Sequence, residues 1–359
     1  MTLLSHPVHT VRLSAAWTLR TFCYSTPLRL PKVLISLVEL LQHDLGALAT
    51  PAAPSDIHIR VLGRAYGLTG LLSVIPQRPL YVSYDITANV FHIAVSLLKR
   101  AGEHDVKIAK AEIEVAWTMI ASLMTLGPNF VRAHLPQLLI LWRNALPKPT
   151  TKDGLSGRTP LEWLFLLSVR ENALRAVYSF LVHNASVLVT ADVARRITSL
   201  LTNALQFAGT FGGQRVEDVV DQLPLAEGKG LSLVGVDALF RTRIFQCFSA
   251  LGVSKIPETT QTALLQSAIT LFASPEGYSG SSVQAAIAAS SGSFTSIWQS
   301  TDCYAYGLTD IELVDDASGN VVEGTGDWLN RDTIDASIDD LVCVLHAEAC
   351  GTLILFISV

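Results

Sequence analysis

An all-α fold of stacked antiparallel helix pairs, a HEAT-type α-solenoid, is what this sequence predicts, and three observations predict it. Apolar residues recur at three- and four-residue steps along most of positions 1–273, the spacing that lines one face of a helix. The helical stretches resemble one another at intervals near the length of a two-helix unit. Nothing in 1–273 alternates apolar and polar residues for long enough to claim a sheet.

Residues 117–146 display the unit. Trp117, Ile120, Leu123 and Met124 form one apolar stripe. Gly127 supplies a C-cap and Pro128 prevents the helix from continuing. A second helix then carries Leu135, Leu138, Leu139, Trp142 and Leu146. Neither stripe can be hidden within its own helix, so the unit needs neighbours of its own kind.

Such neighbours recur along the chain. Arg12, Ala15, Ala16, Trp17, Leu19 and Phe22 share a register with Arg170, Ala173, Leu174, Val177 and Phe180. Glu112, Val115, Ala116 and Trp117 match at 112, Arg60, Gly63, Arg64 and Gly67 more weakly at 60, and Arg243, Gln246, Cys247 and Ala250 at 243. The starts lie 48, 52, 58 and 73 residues apart, as two-helix units of about 40–47 residues with variable loops would be. Among partner helices, Leu30-Pro31 aligns with Leu135-Pro136, where a proline is expected near the first turn because its missing N–H has no partner there. The small residues Ala15, Ala16, Ala116 and Ala173 mark close approach between helices, and the arginine opening each such helix is expected to cross to the adjacent repeat or cap a turn.

Helices are expected near 8–23, 29–45, 55–75, 84–101, 106–126, 129–146, 159–184, 190–207, 235–251 and 258–273. Loops are marked by Pro51 to Pro54, Pro147 to Pro160 and the five glycines of 209–230. Residues 1–273 thus read as a solenoid of about five helix pairs. At 274 the composition turns rich in Ser and Gly and then acidic, which favours a flexible acidic insertion over 274–331. Helical periodicity resumes over 332–359 and stops in an apolar GTLILFISV. Because a finished solenoid needs a polar terminal repeat, a piece of a longer array is the expectation.

Totals narrow the function. Half of the 359 residues are apolar and 16% are charged, ample for a core. No apolar run approaches the roughly 18 residues of a membrane span, and the first residues lack a secretory signal. The five cysteines include no Cys-x-x-Cys pair and read as reduced core fillers. Residues 302–340 hold eleven acids and one base, which leaves the remainder of the chain at +5 and argues against nucleic acid at that segment.

Signals for catalysis are weak. The chain has no phosphate loop, no nucleophile elbow and no His-Glu-x-x-His. Gly209 to Gly213 follows no strand and reads as loop. His92, His134 and His183 lack a second ligand three or four positions away, so core or interface roles are favoured over metal binding. The Asp315-Asp316 segment lacks the alternating oxygen ligands of a calcium loop. Leu166 and Leu167 complete an acidic dileucine from Glu162, but inside a helix whose leucines should be buried. Trp298 and Trp328 stand in flexible acidic chain, where an exposed indole could dock on a partner or pack back on the helices. No catalytic, cofactor-binding or metal-binding residue is therefore assigned.

The segments HPVHTVRLSAAWTLRTF (6–22), WTMIASLMTLGPNFVRAHLPQLLILWRNALP (117–147) and ENALRAVYSFLVHNASVLVT (171–190) resemble the HEAT repeat-containing protein 5 family. That family includes the large accessory protein of the yeast clathrin adaptor at the trans-Golgi network and endosomes. The similarity covers roughly 6–208, and the MTLGP turn followed by H-L-P-x-L-L-x-L-W is its most specific part. Family members are far longer, so the chain resembles an internal slice. The resemblance implies a non-enzymatic, armadillo-type scaffold without cofactor. Its partners would be clathrin adaptor subunits or associated accessory proteins, with peripheral membrane association through them. The implied setting is the cytoplasmic face of Golgi, endosomes and endocytic vesicles, in endocytosis, endosome-to-Golgi retrieval and protein localisation. A nuclear transport receptor or a phosphatase scaffold is the alternative within the same architecture.

Overall fold

The computed structural model describes residues 2–50, 53–150, 158–211 and 233–273. Every regular element among them is helical. The α-helices are α1 (His9–Ser25), α2 (Leu30–Leu48), α3 (Ile57–Leu72), α4 (Tyr84–Arg100), α5 (Val106–Leu123), α6 (Pro128–Ala145), α7 (Pro160–Leu188), α8 (Ala191–Phe211), α9 (Leu233–Leu251) and α10 (Glu258–Ala273). Each falls where apolar periodicity predicts a helix. Described residues up to 131 cluster as one compact unit and those from 132 onward as a second. The expected insertion at 274–331, the helical pattern at 332–359, and with them Trp298 and Trp328, lie outside the described residues.

In the first unit α3 is the central helix. It lies against α1, α2 and α5, and α4 covers α5. Every residue of α3 from Ala65 to Leu72 is buried, which fits a helix covered on several sides rather than one with a single apolar stripe. The repeat alignment pairs the helix of Arg12 with the one opening at Leu30-Pro31. In the structure α2 packs chiefly on α3 instead.

Glycine makes the packing of α1 on α3 possible. A Cβ built on Gly63 would stand 1.6 Å from the Leu4 carbonyl oxygen and 2.8 Å from Cδ of Arg12. One on Gly67 would stand 2.7 Å from Leu4 Cδ1, and one on Gly70 3.0 Å from the Ala16 carbonyl oxygen. These glycines, four and three residues apart, share one helix face. The short 3-10 turn Thr2–Ser5 seats Leu4 on it.

Helix starts follow local chemistry. Asp105 accepts hydrogen bonds from the Lys107 and Ile108 amides at 3.0 and 3.2 Å, capping α5. Thr159 and Glu162 form a reciprocal capping box at α7, and Pro31 and Pro160 stand in the first turns of α2 and α7. Gly127 takes φ +88° with ψ 176°, an extended positive-φ conformation that favours glycine and ends the preceding turn. Pro136 departs from the expectation, since it lies in the interior of α6 rather than near its start. Helix α6 already begins at Pro128, immediately after Gly127. Pro136 and Arg132 are both exposed, so the carbonyl left without an intrahelical donor faces water.

In the second unit α7 and α8 both pack on α9. Trp163 of α7 meets Phe207 and Phe211 of α8 with ring centroids 5.7 and 5.1 Å apart, and Phe207 meets Phe240 of α9 at 6.2 Å. Trp142 of α6 meets Phe180 of α7 at 5.5 Å. This cluster explains why α8 runs to Phe211, past its expected end near 207. Phe207, Ala208 and Phe211 are all buried, and the packing overrides Gly209 as a breaker.

The close approach at Gly63 gives a paired prediction. Gly63→Ala should destabilise the protein by about 1–3 kcal/mol or more, because the methyl meets backbone that cannot rotate away. Gly46→Ala, on the exposed side of α2 with nothing within 4 Å, should stabilise it by roughly 0.5–1 kcal/mol. Denaturant midpoints measure both; a Gly63→Ala midpoint at or above the parent's would contradict the contact.

Candidate interaction site

The positions singled out by repetition divide into two groups. Arg12, Ala16, Trp117, Leu138, Trp142, Arg170, Ala173 and Phe180 are buried. Ala15, Trp17, Leu19 and Leu139 are half-buried. All belong to the packing that shapes the surface.

The charged residues at the aligned positions show how charge is accommodated inside it. Arg12 donates to the carbonyl oxygens of His6 and Pro7 at 2.8 and 2.7 Å, closing the turn that leads into α1. Burial holds its guanidinium below the usual value, opposed by Tyr66 and Glu114. On α3, Arg60 and Arg64 reach back to the buried Asp44 of α2, at 3.3 and 2.7 Å. At 112 the charge is reversed. Glu112 is wholly buried and receives Arg100 at 2.7 Å and His104 at 2.8 Å. In the second unit the Arg170 guanidinium lies 3.7 Å over the Phe207 ring and donates to the Leu166 carbonyl. Arg243 is wholly buried, donates to Gln246 at 2.8 Å and faces Glu171 at 3.6 Å.

Other sequence features take structural places. Leu167 of the acidic dileucine is buried, and Glu162 serves the capping box. Cys23 and Cys247 are buried free thiols, and burial pushes Cys23 up to about 11. His92 is exposed on α4, while burial holds His183 below the ordinary imidazole value. No group of three or more His, Cys, Asp or Glu that could hold a metal occurs among the described residues, and no helix among them is long and apolar enough to cross a membrane.

The surface feature with the most distinctive chemistry lies in the first unit, where the end of α1 meets the α3–α4 connection. Tyr24, Pro27, Arg78, Pro79, Leu80 and Tyr81 line an open groove of about 500 Å³. Two 3-10 turns, Ile75–Gln77 and Pro79–Tyr81, bring its far wall into place, with Pro76 second in the one and Pro79 first in the other. The Arg78 guanidinium stacks 4.4 Å over the Tyr24 ring. Leu80 is 96% exposed, and Leu28, next to Pro27, is 83% exposed. A lone exposed leucine means little. Two beside tyrosines, prolines and a stacked arginine make a surface of the kind that carries binding energy.

No family model matches the chain, and no solved structure matches it.

Sequence reasoning missed this groove because its residues lie between periodic segments rather than on them. Pro76-Gln77-Arg78-Pro79 followed by Leu80 and Tyr81 was the available signal, a proline pair flanking a cation and leading into apolar residues.

Two predictions follow from the buried charges. Arg100→Ala leaves the fully buried Glu112 carboxylate with His104 as its remaining partner and should cost about 1–3 kcal/mol, much of it recovered by adding Glu112→Leu. Additive losses in that double-mutant cycle would contradict the coupling. His183, its folded value lowered by desolvation, binds a proton more readily when unfolded. Its contribution should be complete above about pH 6.5 and shrink as pH falls below that value. Unfolding midpoints at about pH 7.5 and 5.5 should therefore differ less in His183→Gln than in the parent.

Proposed function

We propose that the chain is a non-enzymatic scaffold, built as a HEAT-type α-solenoid, that holds protein partners in clathrin-adaptor-dependent membrane traffic. The observation that carries the architecture is the row α1–α3–α5, in which helices two apart in sequence lie side by side with α2 and α4 packed on them. A row of this kind can be extended at its ends without changing its internal contacts, which is the physical basis of a solenoid. It leaves the connections between helices free to vary and to bind.

The destination rests on residue similarity. Residues 6–22, 117–147 and 171–190 resemble the HEAT repeat-containing protein 5 family, and two of those segments contain Trp117, Trp142, Ala173 and Phe180 of the buried core. On this reading the partners are adaptor subunits or their accessory proteins at the trans-Golgi network and endosomes. Membrane association is peripheral and indirect. Binding is spread over many weak contacts along helix surfaces and inter-helix turns.

Affinity purification of the tagged chain from cells should recover adaptor subunits or their accessory proteins, and its depletion should reduce adaptor on endosomal and Golgi membranes. Purification free of those proteins, with adaptor still on membranes after depletion, would refute the assignment to this pathway.

A further inference from the structure

We propose that the groove between the end of α1 and the α3–α4 connection binds an acidic linear peptide that presents an aromatic or proline residue beside its carboxylates. The inference rests on the protein-binding reading above and assigns it a site and a ligand chemistry.

Charge carries the first part of the argument. No acidic residue occurs in 1–38, and none lies between Asp56 and Asp85, the two stretches that build the groove. They contain seven cations. Arg12 is spent on carbonyl oxygens, Arg20 donates to Ser73, and Arg60 and Arg64 pair with Asp44. Arg29, Lys32 and Arg78 remain, with no carboxylate partner among the described residues. Arg78 lines the groove, and Arg29 ends the Pro27–Arg29 turn, two residues beyond the lining Pro27. An anionic partner is the complement to such a surface, and a cationic one is repelled.

Geometry carries the second part. The Arg78 guanidinium lies over the Tyr24 ring, 4.4 Å from its centroid, and donates at 3.4 Å to the neighbouring Gln77 carbonyl. A planar fork fixed on a ring presents its remaining N–H groups for bidentate capture of a carboxylate. Around it, Tyr24, Tyr81, Pro27 and Pro79 offer flat faces, and the prolines offer no amide for strand pairing. Recognition of an extended segment by aromatic and proline faces, with an arginine reading its charge, therefore suits the site better than β-strand addition. Leu80 at the rim supplies apolar contact for the aromatic or proline residue of the ligand.

The test uses the full chain and a labelled synthetic peptide in which Asp and Glu flank Trp-Pro, with a Lys-for-acid counterpart, measured by fluorescence anisotropy. The acidic peptide should bind saturably, and raising salt from about 50 to about 300 mM should weaken it. Arg78→Glu should reduce affinity about tenfold or more. Leu80→Ser, at a site too exposed to affect folding, should also reduce it while leaving the unfolding midpoint unchanged. The Lys peptide should not bind. Equal binding of both peptides, or acidic binding indifferent to both substitutions, would overturn the proposal. So would absence of peptide binding, or a self-associated form in sedimentation that Arg78→Glu dissolves, which would give the groove to a second copy of the chain. Recovery of adaptor proteins from cells bears on the scaffold reading alone, so either idea can fail while the other stands.

Discussion

The absence of side chains on one face of α3 sets the geometry of the first unit. With hydrogen alone at Gly63, Gly67 and Gly70, backbone meets backbone there, and Leu4 and Arg12 settle into space a methyl group would fill. Close approach raises the density of dispersion contacts, each worth little but many in number. It also sets the distance at which α1 lies, and so the position of the turn after its last residue. Three helical glycines lower the intrinsic stability of α3 as a helix, by roughly 1 kcal/mol each. Burial of nearly the whole helix between α1, α2 and α5 offsets that loss.

Buried charge imposes the complementary constraint. A helix that is covered on several sides has few places for an ion, yet the repeat position carries one in every aligned helix: Arg12, Arg60, Glu112, Arg170 and Arg243. Each is met by what its own surroundings supply. Carbonyl oxygens serve Arg12, a carboxylate on α2 serves Arg60 and Arg64, and an aromatic ring and a carbonyl serve Arg170. At 112 the polarity is inverted and the cations come from Arg100 and His104. Such pairs add little net stability against apolar replacements of equal volume, but removing one partner is costly. Their consequence is register: a helix that slid by one turn would leave a carboxylate or guanidinium unpaired in the core.

Most of the helical layout could be read from the sequence, because the apolar stripes are long and the turns carry Gly and Pro. The α5–α6 boundary shows why. Leu123 and Met124 close one stripe, Gly127 takes a positive φ, and Pro128 opens the next helix. Burial of Trp117, Trp142 and Phe180 was legible for the same reason. Three-dimensional partners were not. Arginine at the head of a repeat helix can reach a carbonyl, a carboxylate or a ring, and periodicity does not distinguish them. In the packing of α2 on α3, Leu37 meets the bare face of Gly67, a fit invisible in the sequence alignment of the helices. Pro136 misled because its alignment with Pro31 suggested a first turn, although the helix was already expected to start near 129. The groove was least legible, because it joins residues more than fifty positions apart that lie outside every stripe.

That last failure follows from how this architecture divides its labour. Residues on the inner faces of α3, α5 and α7 are held by neighbours on several sides, and changing one disturbs the packing of the rest. They are poorly placed to meet a partner and costly to vary. The connections face the opposite situation. At Pro27–Arg29 and Ile75–Tyr81 the backbone is tied down by short turns, but the side chains of Leu28, Arg29, Arg78 and Leu80 owe little to the core. On the proposed reading, a rigid frame with chemically free connections would place recognition in the turns, where rigidity limits the entropy lost on binding. Tyr24 ties the two together: its position comes from the last turn of α1, which the glycine face of α3 holds in place, while its ring supports the one guanidinium that the groove presents.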